Sequence, residues 1–417
     1  RSRGLGDVYK RQNLSLEGKR KEIQRSKYGV SENRSKLLPQ INAIAGYSNN
    51  FDPPVSVTDG SSYGVPYNIT QTLQHSANAG LEMQMPLFNQ TLYTSMSIAK
   101  VMEEISRLSY GKAREDVILQ ISKMYYLGQV TAEQIMLIKA NITRLEELRD
   151  ITQAFFDNGM SMEVDLKRVN INLENLKVQY DNAQAMMKQQ LNMLKYIMDY
   201  PAEKEIALTP VNTDSITTVA LTGLSENIYE LQLSQSQVQL AERQKKIITN
   251  GYIPSLSLTG SWRYAAYTDK GYHWFHSGPS NQWFRSYGVG LTLRIPIFDG
   301  LDKTYKIKKA MIDIENKRLA WEDARKNLQT QYLNAVNDLM NNQRNFKKQK
   351  DNYLLAEDVY AVTSDRYREG IASMTEVLQD EMQMSEAQNN YISAHYNYRV
   401  TNLMLLKLTG QIESLVK

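Results

Sequence analysis

The sequence predicts an α+β membrane protein made of one structural unit repeated twice, in which short β-hairpins feed very long helices. Three observations carry that expectation. Two hairpins alternate apolar and polar residues over about ten positions per strand, the length a tilted strand needs to cross a bilayer. Two proline-free stretches, 90–156 and 301–367, are too long for a globular core to bury. The order of strands, long helix, glycine turn and returning helix appears in both halves, offset by 210 to 215 residues.

Composition narrows the options. The 417 residues carry 49 basic and 45 acidic side chains spread along the chain, a net charge of +4, which argues against a nucleic-acid binder. The absence of cysteine excludes disulfides, thiolate zinc sites and a cysteine nucleophile. No apolar run reaches eighteen residues, so contact with a membrane has to be made by a closed barrel. No phosphate-binding glycine loop, nucleophile–base pairing or ligand cluster is visible, so neither enzyme activity nor a cofactor or metal is expected. His273 and His276 form a pair without a matching acid cluster. The opening RSRGLGDVYKRQ is charged and has no apolar core. Residues 1–13 therefore read as a non-native or disordered leader, with any export signal or acylated cysteine expected upstream.

The first repeat, 14–198, opens with a charged helix. A strand over about 37–48 follows, entered at Pro39, and 49–78 reads as a loop rich in Pro, Gly, Ser and Tyr. In the next strand, about 79–88, Leu81, Met83, Met85 and Leu87 alternate with Gly80, Glu82 and Gln84. The long stretch of about 90–156 makes a helix on the order of 100 Å at about 1.5 Å per residue. Gly111 and Gly128 weaken the case for one unbroken helix. Gly159 stops it, and Asp165 lies in the first turn of a returning helix, about 162–198. There Leu166, Leu173, Tyr180, Met187 and Leu194 recur every seven residues, with Val169, Leu176, Ala183 and Ile197 as companions, a coiled-coil seam broken by Gln190. Residues 199–223 read as an irregular segment with a short strand or two.

The second repeat, 224–417, has the same plan. A helix leads to strands over about 254–265 and 286–298. Leu256, Leu258, Trp262 and Tyr264 share one face of the first. Tyr287, Val289, Leu291, Leu293, Ile295 and Ile297 share one face of the second. Three of the four Trp residues lie between Gly251 and Gly300; Trp262, Tyr264, Trp283 and Tyr287 fit an aromatic belt at a membrane interface. A long helix, about 301–367, ends at Gly370, and Glu376 opens the returning helix, about 374–409. Its seam is Val377, Met384, Tyr391, Tyr398 and Leu405, with Ala387, Ala394 and Leu408 as companions and Asp380 and Thr401 as polar breaks. Two hairpins supply four strands, which cannot close a barrel, so several copies have to pool them. Three copies give twelve strands.

The doubled set of strand entries and exits, LLPQINAIAGY over YIPSLSLTGSW and AGLEMQMPLFNQ over VGLTLRIPIFDG, is followed by Tyr367–Arg368–Glu369–Gly370 and Glu376–Val377–Leu378. In this it resembles the TolC-like outer membrane efflux proteins. The resemblance covers nearly all of the chain. It implies a homotrimeric outer-membrane β-barrel, four strands per protomer, continuous with a long periplasmic α-helical coiled-coil barrel. It also implies an exit duct for small molecules or polypeptides in a tripartite efflux or type I secretion system. The implied partners are outer-membrane lipid, a periplasmic adaptor (membrane fusion protein) and an inner-membrane RND or ABC transporter. By position Tyr367 matches a tip aromatic, and Glu376 and Asp165 match tip acids of a periplasmic gate, after the stops at Gly370 and Gly159; Phe156 stands three residues before Gly159 as Tyr367 does before Gly370. The chain departs from the pattern at Ala372 and Gln379, where a base and a second acid are expected, so the acidic ring falls to Glu376 alone or with a neighbour. The plain reading of Glu376 and Asp165 is a solvated acid in a first helical turn, and that of Tyr367 and Phe156 is seam packing. A periplasmic coiled-coil scaffold or adaptor without a barrel is the alternative function, but it leaves the aromatic hairpins unexplained.

Overall fold

The computed structural model describes residues 13–59, 61–71, 73–210, 223–268 and 283–416. In chain order the elements are α1 (Leu14–Ser35), β1 (Gln40–Asn49), β2 (Val55–Asp59), β3 (Tyr67–Gln71), β4 (His75–Phe88), α2 (Gln90–Asp157), α3 (Glu163–Met198), α4 (Tyr229–Asn250), β5 (Ser255–Thr268), β6 (Trp283–Arg294), α5 (Asp302–Arg368) and α6 (Met374–Leu408). A short 3-10 turn, Ile412–Val416, follows. They fall into two compact units. One takes the chain up to Ile23 with Ser106–Gln235 and Leu319–Lys417; the other takes Gln24–Ile105 with Ser236–Arg318.

The second unit holds an antiparallel four-stranded sheet in the order β1-β4-β5-β6. The pairing of β4 with β5, from His75 opposite Thr268 to Phe88 opposite Leu256, joins the two repeats. Because side chains alternate along a strand, the register sorts them into two faces. Ala43, Leu81, Trp262 and Tyr287 lie in one cross-strand row of the apolar face; Asn42, Glu82, Ser261 and Gly288 lie in a row of the polar face. β1 and β6 are edges, each paired on one side only.

Several expectations are corrected here. The stretch read as a loop, 49–78, contains the hairpin of β2 and β3, with Val57 opposite Ile69. Val55 and Val57 alternate with Ser56 and Thr58, a strand pattern that the surrounding Pro and Gly obscured. β4 begins at His75, not near 79, and continues the β1 ladder to Asn49 opposite His75. β6 spans Trp283–Arg294 rather than about 286–298, so Ile295 and Ile297 lie outside it. β4 runs through Pro86 because β5 pairs with it there, with a register shift between Pro86 and Phe88; β6 stops before Pro296, at Arg294, where β5 begins opposite it at Ser255. α2 is unbroken. Its Gly111 is needed for close approach, since a Cβ there would run into the ring of Tyr229. Residues 199–210 contain no strand, and 211–222 lie outside the described residues, as do His273 and His276. Asn13 belongs to the fold, not to a leader: its side chain caps α1 by accepting from the Leu16 N–H at 3.0 Å, and it donates to the Ile197 carbonyl at 2.6 Å.

The first unit holds the cores. Leu145 and Leu148 of α2, Val169, Leu173 and Leu176 of α3, Tyr360 and Tyr367 of α5, and Met374, Val377 and Met384 of α6 form one cluster. On α3 the buried side chains are Val169, Leu173, Leu176, Ala183, Gln190, Leu194 and Met198; of the expected seam, Leu166, Tyr180, Met187 and Ile197 are only half-buried. On α6 the seam Val377, Met384, Tyr391, Tyr398 and Leu405 is fully buried, and a second row beside it is buried too: Glu381, Gln388, His395 and Asn402, again seven residues apart.

Candidate gate at the glycine turns and candidate wall of the sheet

Both long helices end the same way. Gly159 and Gly370 have φ of +74° and +75°. The Gly370 N–H donates to the Tyr367 carbonyl at 2.9 Å and the Ile371 N–H to the Arg366 carbonyl at 2.8 Å; Gly159 and Met160 do the same with Phe156 and Phe155. This is the two-bond left-handed cap that only glycine adopts without strain.

The four helices meeting at these turns are tied by polar side chains. The Tyr367 hydroxyl, nearly buried, donates to Thr152 Oγ1 at 3.2 Å, and its ring packs on Phe155 with centroids 5.6 Å apart. Phe156, the residue matched to Tyr367 by repeat, is 38 % exposed, so Phe155 takes the packing position expected of it. Arg368 reaches Glu147 at 3.3 Å and Arg144 reaches Glu357 at 2.5 Å, both linking α5 to α2.

The two acids have different surroundings. Asp165 is answered by Arg168 at 3.3 Å, and Arg168 also donates to Thr375 Oγ1 at 3.4 Å. Glu376 has no cation within ion-pair distance among the described residues. It forms a capping box instead: its carboxylate accepts from the Ser373 N–H at 3.2 Å while Ser373 Oγ accepts from its own N–H at 3.3 Å. Glu376 thus combines an exposed uncompensated charge with a structural task. Beside it, a groove of about 360 Å³ between α3 and α6 is bordered by Arg168, Ile171, Leu378 and Met382.

Two members of the buried polar row on α6, Gln388 and His395, meet side chains of α2. Gln388 and Asn141 exchange hydrogen bonds, the shorter at 2.7 Å. His395 Nδ1 lies 3.3 Å from Glu133, Arg399 donates to His395 Nε2 at 2.9 Å, and the Tyr391 hydroxyl donates to Glu133 at 2.9 Å. Burial raises the Glu133 carboxyl, but the close approach of His395, the bond from Tyr391 and the charge of Arg399 outweigh it and hold Glu133 below the usual range. Glu381 is the reverse case. Burial pushes its carboxyl up, and its Oε1 has no hydrogen-bond partner. Tyr360 is pushed up to about 12 by burial, with the Glu381 charge adding to it.

On the sheet, Trp262, Tyr264, Trp283 and Tyr287 all lie on the apolar face, with Trp262 directly opposite Tyr287 and meeting Tyr264 edge-on, ring centroids 5.4 Å apart. Tyr267 and Phe284 lie on the polar face. Much of the apolar face is bare: Val289 is 80 % exposed and Tyr287 78 %.

Comparison with known proteins bears on the family and the fold. The family model described as "Outer membrane efflux protein" matches residues 7–198 and 220–411. Outer membrane protein TolC of Vibrio cholerae serotype O1 is 21 % identical over 399 residues, covering 92 % of this chain and 84 % of the relative. The crystal structure of CusC has a TM-score of 0.81 at 16 % identity, covering 98 % of this chain and 91 % of that one. The outer membrane protein VceC from Vibrio cholerae has a TM-score of 0.78 at 14 % identity, covering 98 % and 96 %.

Proposed function

The chain belongs to the outer membrane efflux protein family, and from that premise we propose that three copies close a twelve-stranded outer-membrane barrel and act as a passive exit duct. The apolar sheet face meets lipid, with Trp262, Tyr264, Trp283 and Tyr287 at the interface, and the polar face lines the lumen. The observation that carries this reading is the sheet itself. Its four strands have two free edges and a bare apolar face: the face is stable in hydrocarbon rather than in water, and the edges are stable there only when they pair with those of other copies.

The turns at Gly159 and Gly370 form the periplasmic gate. Three copies of Glu376 near one axis repel each other, favour cations and bind a polyvalent cation at the mouth. Asp165, neutralised by Arg168, contributes less, and Tyr367 holds α5 to α2 behind the mouth. The groove between α3 and α6 offers an apolar floor with one basic rim residue to a helix of a periplasmic adaptor, which connects the duct to an inner-membrane RND or ABC transporter. Small molecules or polypeptides then pass outward, as in tripartite efflux or type I secretion. Heat-modifiable migration of the outer-membrane fraction on SDS gels tests this: a slow species that collapses to the monomer on boiling is expected, and a monomer confined to the soluble fraction overturns it.

A further inference from the structure

The polar face of the sheet carries few charged side chains. Among the described residues they are Glu82, Arg263 and, at the end of β6, Arg294; the rest are mainly Ser, Thr, Asn, Gln and Gly. Glu82 and Arg263 form an ion pair with each other. They are not direct cross-strand partners. Arg263 stands opposite Gly80, and Glu82 stands opposite Ser261, two residues further along β4. To reach Glu82 the guanidinium stem passes over Gly80, where a Cβ would lie 3.0 Å from Arg263 Cγ and 2.9 Å from its Cα. The missing side chain at Gly80 leaves a channel in which Arg263 lies along the sheet instead of standing away from it. The neighbouring strand is low as well: Ser286 faces Arg263 and Gly288 faces Ser261, and an open cleft of about 500 Å³ lies over this patch.

We infer that Glu82 and Arg263 form a specificity-determining latch in the barrel wall, with Glu82 holding Arg263 flat against the sheet and cancelling its charge, so that the middle of the lumen is wide and electrically neutral. The inference rests on the reading that this face lines the lumen. Three such pairs, one per copy, sit at one level of the bore. A neutral wall there neither holds nor rejects a solute by charge, which suits small molecules of either sign. Without Glu82, three guanidinium groups are released into the lumen and that level becomes an anion-attracting constriction; without Arg263, three carboxylates remain and it attracts cations.

The alternative role is purely structural, since an ion pair across β4 and β5 also fixes strand register. Planar-bilayer reversal potentials in a potassium chloride gradient separate the two, measured on the native protein and on E82Q, R263Q and the double variant. At about 0.1 M salt, where the screening length is about 10 Å, each single variant is expected to move the potassium-to-chloride permeability ratio by about twofold, E82Q towards chloride and R263Q towards potassium. The double variant is expected to return to the native value, and the temperature at which the folded band is lost on gels to stay within a few degrees for all. Unchanged selectivity in both single variants, with a lowered melting temperature in each, makes the pair a register clamp and overturns the inference. Absence of any conductance from the native protein removes the barrel reading and the latch together.

Discussion

Tyr367 and Thr152 meet hydroxyl to hydroxyl between α5 and α2, Tyr367 donating at 3.2 Å while Thr152 donates onward to the Leu148 carbonyl at 2.7 Å. Both side chains are buried, so the chain of bonds runs from the tail of one long helix into the backbone of the other. Thr152 only accepts from Tyr367, and its own proton stays satisfied when that bond is lost. Tyr367→Phe is therefore expected to cost only about 0.5–1.5 kcal/mol, whereas Tyr367→Ala, which also empties the ring's place beside Phe155, is expected to cost about 3–5 kcal/mol. Thermal unfolding of the detergent-solubilised protein checks the ratio. Equal losses for the two variants would show that the hydroxyl, not the packing, holds the helices.

Glu376 serves two purposes, which Ala and Gln separate. Gln at the third helical position keeps the acceptor for the Ser373 N–H but removes the charge. Glu376→Gln is expected to leave stability unchanged while weakening cation selectivity and abolishing block by trivalent cations in bilayer recordings. Glu376→Ala loses the cap as well, at about 1 kcal/mol. If Glu376→Gln conducts and is blocked as before, the acidic ring lies elsewhere.

How much of this was legible differs by element. The helix seams were plain, because Leu173, Leu176 and Leu194 or Val377, Met384 and Leu405 repeat in a period that only a packed helix needs. Glycine stops at 159 and 370 were equally plain. The second row on α6 was missed although Glu381, Gln388, His395 and Asn402 have the same period, since polar residues are ordinarily assigned to solvent; within the fold α2 supplies Asn141 to meet Gln388 and Glu133 to meet His395. That signal is available to a search for polar as well as apolar heptads. The β2–β3 hairpin was hidden among prolines and glycines. The latch of Glu82 and Arg263 depended on strand register, which alternation alone does not give: the residues are 181 apart in sequence.

Glycine is required for two different reasons, and substitution distinguishes them. At Gly370 an added Cβ meets nothing within 4 Å, so Gly370→Ala suffers only from the left-handed backbone, about 1–2 kcal/mol, and Gly370→Asn less. At Gly111, inside α2, the backbone is already helical and Ala would be the better helix former, but the Tyr229 ring occupies its space. Gly111→Ala is expected to destabilise by about 1–3 kcal/mol, and pairing it with Tyr229→Leu to recover part of the loss. Non-additivity in a double-mutant cycle of melting temperatures checks this; strict additivity would mean that the ring yields freely.

Glu115 on α2 is buried, and burial pushes its carboxyl from 4.5 up to about 7, with Glu413 and Asp116 adding to the shift and Lys407 and Arg114 opposing it. Lys407 is engaged with Asp116 at 2.6 Å and Arg114 with Glu413 at 2.9 Å, so neither cation is reserved for Glu115. The folded chain therefore keeps a proton that the unfolded chain releases above pH 4.5. Its contribution to stability is complete below that pH and is lost as pH rises through about 7. Glu115→Gln keeps the shape and cannot titrate. Relative to the native protein it is expected to be neutral at pH 4 and more stable at pH 8, by on the order of 2–3 kcal/mol. Melting curves of the two proteins at both pH values decide the matter: a constant difference between them would place the carboxylate in its ordinary range and attribute any pH dependence of the fold to other groups.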